Sequence, residues 1–284
     1  MTLTKVQLQK VEMIPVSMEQ VIMTPVGLNI GPQLLSNSQF YDMTLGSELV
    51  TNGDFSSATG WNLGSGWSID TGLGTLTHDG TAKSNTTQSG FTAYQAIKTE
   101  IITDSNDQTS NKALVRETFL QNKWTLSNNA SAIDVNWECN AGTAPTIFSI
   151  RDTEENLSSR VFSSISIKPV TLDSWSEIGT RTATEHLCYD GDQALVNIFS
   201  GGAQIGITQA IPDFVAGDYY YSIGIANDNA GSLKLSTPTD GDLATIDNTG
   251  PHTGVISLTD ANIQLEANGA CDVTPSYFNL YPVI

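Results

Sequence analysis

The chain has 284 residues, 39% hydrophobic and 15% charged, with 30 acidic against 12 basic side chains and a net charge of −18. That length suits one large domain or two ordinary ones, and the acidic surplus excludes nucleic-acid binding and docking on anionic lipid, which both call for lysine and arginine. No run approaches the roughly 18 apolar residues of a membrane span, and no apolar signal region follows Lys5, so the chain is expected to be made in a host cytoplasm and kept there or released by lysis.

Residues 1–32 differ from the rest. Val6, Leu8, Val11, Met13 and Ile14 alternate with polar residues as far as Pro15, and Val21, Ile22 and Met23 run on to Pro25. Prolines at this spacing forbid a helix and a central strand. Two readings stay open: an N-terminal strand packed on its own domain, or an extended arm that docks on a partner subunit through Val6, Leu8, Met13, Ile14, Val21 and Met23. Methionine suits the second role, because its flexible thioether adapts to irregular surfaces.

From Leu34 onward short stretches of period-two alternation recur, at residues 73–77, 132–137, 162–167, 195–199, 219–225, 232–235 and 254–258. Turn pairs such as Asp79-Gly80, Asp190-Gly191, Gly201-Gly202 and Asp240-Gly241 punctuate them. No apolar period of 3.6 persists for three turns. Many short strands between tight turns predict an all-β chain built as sandwiches. Cys139, Cys188 and Cys271 are too few and too scattered for a disulfide framework or a zinc site, and are expected to be buried, inert thiols.

The chain repeats itself. Residues 34–40 match residues 49–55 at an offset of 15, each reading as a short strand, an asparagine turn and an aromatic plug, Phe40 or Phe55. Two closing strands also match, at 161–170 and 276–284, as do two tryptophan segments, around Trp67 and around Trp175. Both openings precede the first middle. The simplest accounting nests a first module, 47–170, inside a second made of 33–46 plus 171–284, behind a docking arm at 1–32. A tandem pair with residues 1–46 as the arm is the alternative.

The string from Glu48 to Trp61, with Asn52-Gly53-Asp54-Phe55 and then Gly60-Trp61 and Gly66-Trp67-Ser68-Ile69, resembles the opening of carbohydrate-binding-module-like jelly rolls common in bacteriophage tail and virion proteins. The resemblance covers about 22 residues, and the second module carries a weaker form of it. It implies two jelly-roll β-sandwich modules with a glycan-binding or structural role, and no catalysis. Sugar-binding members often place an acid after the first phenylalanine and an aspartate in the closing strand to hold a structural calcium. Here Ser56 follows Phe55, and the closing strands offer Ser163, Ser164 and Asn279, so no cofactor is expected and Asp54 and Asp42 are the only metal candidates.

Sugar recognition needs a flat aromatic face beside amides or carboxylates. Trp124, with polar neighbours, and Tyr219 and Tyr221, which share one face of a strand, are the candidates. Trp67 and Trp175 read as core plugs, and Trp137, alternating with Ile133 and Val135, as core. Catalysis finds little to recruit: His78, His186 and His252 are isolated, and no serine elbow, P-loop or dinucleotide fingerprint occurs. The expectation is a non-enzymatic phage virion surface protein (capsid decoration, head fibre or tail-associated). It would form a homotrimer whose arm engages capsid or tail subunits and whose modules display a glycan-binding surface. The alternative is a carbohydrate-binding accessory module of a polysaccharide-degrading system.

Overall fold

The computed structural model describes residues 28–82, 84–92, 95–106, 114–118, 122–126, 131–139, 147–152 and 159–284. Among them every regular element is a strand, and all pairing is antiparallel. The arm residues Val6, Leu8, Met13, Ile14, Val21 and Met23 lie outside this set.

In chain order the strands are β1 (Met43–Leu45), β2 (Asn62–Leu63), β3 (Trp67–Asp70), β4 (Thr75–His78), β5 (Asn85–Ser89), β6 (Ala96–Asn106) and β7 (Leu114–Thr118). There follow β8 (Asn122–Thr125), β9 (Ala132–Cys139), β10 (Ile147–Asp152), β11 (Arg160–Leu172), β12 (Ser176–Gly179), β13 (Glu185–Asp190) and β14 (Leu195–Gly201). The last are β15 (Ile205–Ala210), β16 (Gly217–Ala230), β17 (Leu233–Thr237), β18 (Gly241–Ile246), β19 (Gly250–Leu258), β20 (Asn262–Ala267) and β21 (Ala270–Pro282).

Two pairs of sheets result, and their strand orders are the same. In the first pair β3-β4-β11-β6-β9 faces β2-β5-β10-β7-β8; in the second, β13-β14-β21-β16-β19 faces β12-β15-β20-β17-β18. Each strand of the first order becomes its counterpart in the second by adding ten to its number. Alternation places one set of side chains inward. Leu76, Ile101, Phe148, Ile150, Phe162 and Ile165 build the first core. Val196, Ile198, Ile207, Ile223, Leu265 and Phe278 belong to the second, which also takes in Ala96, Val170 and Leu172 from the first pair.

The offset-15 match is a repeat of hydrogen bonds. Gly31 donates to the Pro282 carbonyl (2.8 Å) and Gly46 to that of Pro169 (2.9 Å); Leu34 donates to Leu280 (3.0 Å) and Leu49 to Ile167 (2.8 Å). The Ser38 carbonyl accepts from Phe278, and the Gly53 carbonyl from Ile165. Thus 31–38 lie along β21 and 46–53 along β11, while β1 pairs with the end of β11. Asn37 and Asn52 turn the chain at φ 47° and 52°, and Phe40 and Phe55 both stand at φ 56°. Left-handed phenylalanine is costly; each ring is fully buried, which offsets the strain.

The tryptophans pair differently from expectation. Trp61 Nε1 donates to the Asn52 carbonyl (3.1 Å), as Trp175 Nε1 does to that of Asn37 (3.3 Å). Phe55 packs on Trp61 at 5.6 Å and Phe40 on Trp175 at 5.8 Å between ring centroids. Trp61, rather than Trp67, is therefore the counterpart of Trp175. Gln88 and Gln209 complete the motif, each bridging the backbone N–H and C=O of residue 51 or 36.

Candidate functional site

The outer face of the sheet holding β14, β21 and β16 carries a groove of about 220 Å³. Its floor follows from period-two alternation. On β14, Val196 and Ile198 point into the core, so Leu195, Asn197 and Phe199 face outward. On β21, Cys271 and Val273 go inward and Asp272 faces outward. The register places Phe199 opposite Asp272. Bulges in β16 around residues 225–230 break the regular pairing with β21. Such bulges re-aim side chains, and Asn227 and Asn229 reach the same groove.

Two of the groove's amides, Asn197 and Asn229, are held by a neighbouring carboxylate, Asp272. Asn197 Nδ2 donates to Asp272 Oδ1 at 2.9 Å, and Asn229 Nδ2 to Oδ2 at 2.9 Å. Asn197 also reaches Thr274 Oγ1 at 3.1 Å. Both Asp272 oxygens are thereby oriented, each with lone pairs to spare. Asp190 lies on the hairpin rim, where its Oδ2 accepts from Gln193. Beside the floor, His186 stacks on Phe199 at 4.7 Å with 15° between planes. Burial, and then the nearby Arg181, hold the imidazole below its usual pKa, so it adds no positive charge near neutrality. Burial first, and the Asp272 charge second, push the Cys271 thiol up to about 11.

The wall belongs to the first sheet pair. Trp137 on β9 lies against the β13–β14 hairpin so closely that a Cβ added at Gly191 would stand 2.6 Å from its ring. Lys98 Nζ is 5.1 Å from the ring centroid, a cation–π distance. Trp137 Nε1 is buried with no hydrogen-bond partner. Sequence reading took Trp137 for core; it packs instead at the junction, on the margin of the other pair's core. Ile133, its expected core companion, is 67% exposed.

The residues expected to bind sugar are placed elsewhere. Tyr219 and Tyr221 are buried in the second core, at 3% and 8% exposure, so neither offers a face for stacking; Tyr219 Oη donates to the Val215 carbonyl. Trp124 lies on β8, and its side chain is outside the described residues. The thiol expectation holds for Cys271, which is free and buried. It fails for Cys188, which is disulfide-bonded.

A second hollow, about 400 Å³, lies over the turn at Asn52, Gly53 and Asp54. Its carboxylates are engaged: Glu48 accepts from the Val50 and Ile167 N–H and from Ser166 Oγ, and Asp54 Oδ1 from the Ser56 N–H and Oγ. Those Ser56 bonds hold Asp54 below its usual pKa. Asp42 meets Asn37 through its backbone alone, accepting from Asn37 Nδ2 at 2.8 Å. Among the described residues no three acids, histidines or cysteines come together as metal ligands. Of the histidines, His78 and His252 each set Nε2 on a backbone carbonyl, at 3.1 and 2.9 Å.

No family model and no curated protein matches this chain. Among solved structures it is similar to the tandem CBM22 domains of Xyn10C from Paenibacillus barcinonensis, with 9% identity, TM-score 0.33 and coverage of 84% of this chain and 96% of that one. It is also similar to the tandem CBM51 modules of a family 98 glycoside hydrolase from Streptococcus pneumoniae (9%, TM-score 0.25, 90% and 97%). A third similarity is to a fucolectin from striped bass, Morone saxatilis (8%, TM-score 0.28, 89% and 99%). Likeness this loose carries no argument, and the all-β sandwich assignment rests on the sheets themselves.

Proposed function

We propose that this is a non-enzymatic glycan-binding protein displayed on a virion surface, with its first β-sandwich inserted in its second. The observation that carries the reading is the groove: a sheet face on which the Asp190 carboxylate, the amides of Asn197, Asn227 and Asn229, and Thr274 converge. Such groups serve hydroxyl-rich ligands, and a scaffold of strands holds them more precisely than loops do. The pairing of 31–38 with β21 supports the nested arrangement, because the opening segment of the second sandwich then precedes the whole of the first. The motif around Asn52, Phe55 and Trp61 supports virion display through its resemblance to phage jelly rolls. His78 and His252 each spend Nε2 on a backbone carbonyl, which agrees with a non-catalytic role. In this reading residues 1–27 reach capsid or tail subunits, by strand addition or by filling pockets with alternate side chains.

The test has two arms. On a glycan array the intact chain binds a defined subset of glycans, and Asn197→Ala abolishes the signal; an array without any bound glycan refutes the binding role. In co-sedimentation with virions, the intact chain travels with particles and a chain lacking residues 1–27 does not. Equal behaviour of the two chains refutes the docking role.

A further inference from the structure

We propose that Cys188 is bonded to Cys139, and that this disulfide staples the two sandwiches together edge to edge once the chain meets an oxidising medium. The chain has three cysteines; Cys271 is free and Cys188 is disulfide-bonded. One partner is left. Alternation agrees with the count. Leu187 and Tyr189 point into the second core, so Cys188 stands on the outer face of β13, where it lines the groove with Trp137. Cys139 follows Trp137 by two residues on β9 and so holds a position on the same face of that strand. Cys271 is turned the other way, into the core, with its Sγ 3.8 Å from the Ile198 carbonyl.

The two strands meet where the sandwiches meet. β9 ends the order β3-β4-β11-β6-β9 and β13 begins the order β13-β14-β21-β16-β19, so both are edge strands. The two edges touch, and Trp137 packs on Gly191 beside them. A covalent link here joins modules that side-chain contacts alone would leave free to part. It also encloses the chain from 139 to 188, including β11 and the crossing into β12. Closing a loop of that length restricts the unfolded ensemble and so favours the folded one. Forming the bond takes two electrons and two protons from the thiols, and glutathione disulfide accepts them. One protein thiolate displaces a glutathione to give a mixed disulfide; the second displaces the other, leaving two glutathione thiols. A reducing cytosol holds the pair open, and the staple closes after the chain has left it. Cys271 competes poorly, because burial pushes its thiol up to about 11 and leaves little thiolate near neutrality.

The experiment takes the full natural chain, reduces it completely and then treats it with glutathione disulfide. Thiols counted in denaturant fall from three to one, and the chain runs as a monomer on a non-reducing gel. Trypsin cuts after Lys123, Arg151, Arg181 and Lys234, which puts each cysteine in its own peptide: 124–151, 182–234 and 235–284. Mass spectrometry without reductant finds 124–151 joined to 182–234, and 235–284 alone. The oxidised chain melts at least about 5 °C above the reduced one. Cys188→Ser melts with the reduced chain and gains nothing from glutathione disulfide, whereas Cys271→Ser gains as the natural chain does. Three thiols that persist, glutathione left on a single cysteine, a covalent dimer, or a link that involves 235–284 each overturn the pairing. An oxidised chain that melts no higher than the reduced one overturns the staple. The peptide map needs only the natural chain, so it decides the pairing even where Cys188→Ser fails to fold. No sugar enters these measurements, and their outcome stands apart from that of the glycan array.

Discussion

At the scale of residues the two asparagine turns bear more than their size suggests. Asn37 Nδ2 reaches the carbonyls of Asp42 and Asp173, at 2.8 and 2.9 Å, and Asn52 Nδ2 that of Thr59 at 2.8 Å. Both hold φ near +50°, where asparagine is tolerated and a β-carbon alone is not. Replacing Asn37 with Ala should cost about 2–3 kcal/mol, from lost hydrogen bonds plus backbone strain. Asn37→Gly should cost about 1 kcal/mol less than that, since glycine keeps the conformation. Chemical denaturation of the three proteins measures the difference. His186 gives a second prediction. Burial and Arg181 depress its folded pKa below the ordinary 6.5, so below about 6.5 the unfolded chain takes up a proton that the folded chain refuses. Its contribution is fully present above that pH and is lost as pH falls through it. Melting temperature should decline from pH 7.5 to 5.5, and His186→Gln should flatten that decline. Equal slopes for the two proteins would show that the imidazole does not control it.

At the scale of elements, part of the fold was legible in the chain and part was not. Period-two runs and turn pairs announce an all-β molecule, and the match of 34–40 with 49–55 is visible by eye. The equivalence of Trp61 with Trp175 is hidden, because Gly60 and Ser174 hold positive φ before them and share no letter. Gln33 and Glu48 occupy equivalent places beside β21 and β11. Their partners lie 247 and 119 residues further along, beyond the reach of any local pattern. Alternation says that Tyr219 and Tyr221 share a face, but not that the face is the core. The groove was illegible for a similar reason: its residues come from five strands, and register and bulges bring them together. A cut through the opening tests the element directly. Removing residues 1–27 should preserve a cooperative melt. Removal of 1–40 takes away Phe40, which is fully buried, and strips the partners of β21 at Pro282, Leu280 and Phe278. An exposed edge and an empty core site together should cost about 3–5 kcal/mol or more, and the product should aggregate or fail to fold. A Δ1–40 chain that melts like Δ1–27 would mean that the segment is dispensable.

At the scale of the molecule, the two sheet pairs meet along a surface that no single element owns. Ala96, Val170 and Leu172 enter the second core from strands of the first pair, and Trp137 leans on the β13–β14 hairpin. Tyr189 Oη donates to Glu177 Oε1 at 2.7 Å, and Arg181 closes on that carboxylate at 2.5 Å, beside a cleft that Gln95 and Ala96 also line. Burial alone would raise the Glu177 pKa; the Arg181 hydrogen bond and charge outweigh it and leave the group below its usual value. These contacts argue for one cooperative unit rather than two beads on a string, and Gly191 is the place to test it. A valine there must displace the indole of Trp137, since its β-carbon would start 2.6 Å from the ring. The ring is large and held by Lys98, so the hairpin or β9 must give way, at a cost of about 1–3 kcal/mol typical of overpacking. Neither core contains Gly191, and both should survive the change. Calorimetry should then show one transition for the natural chain and two partly resolved transitions for Gly191→Val, with sugar binding lost in parallel. A single unshifted transition in the variant would mean that the junction transmits nothing between the sandwiches.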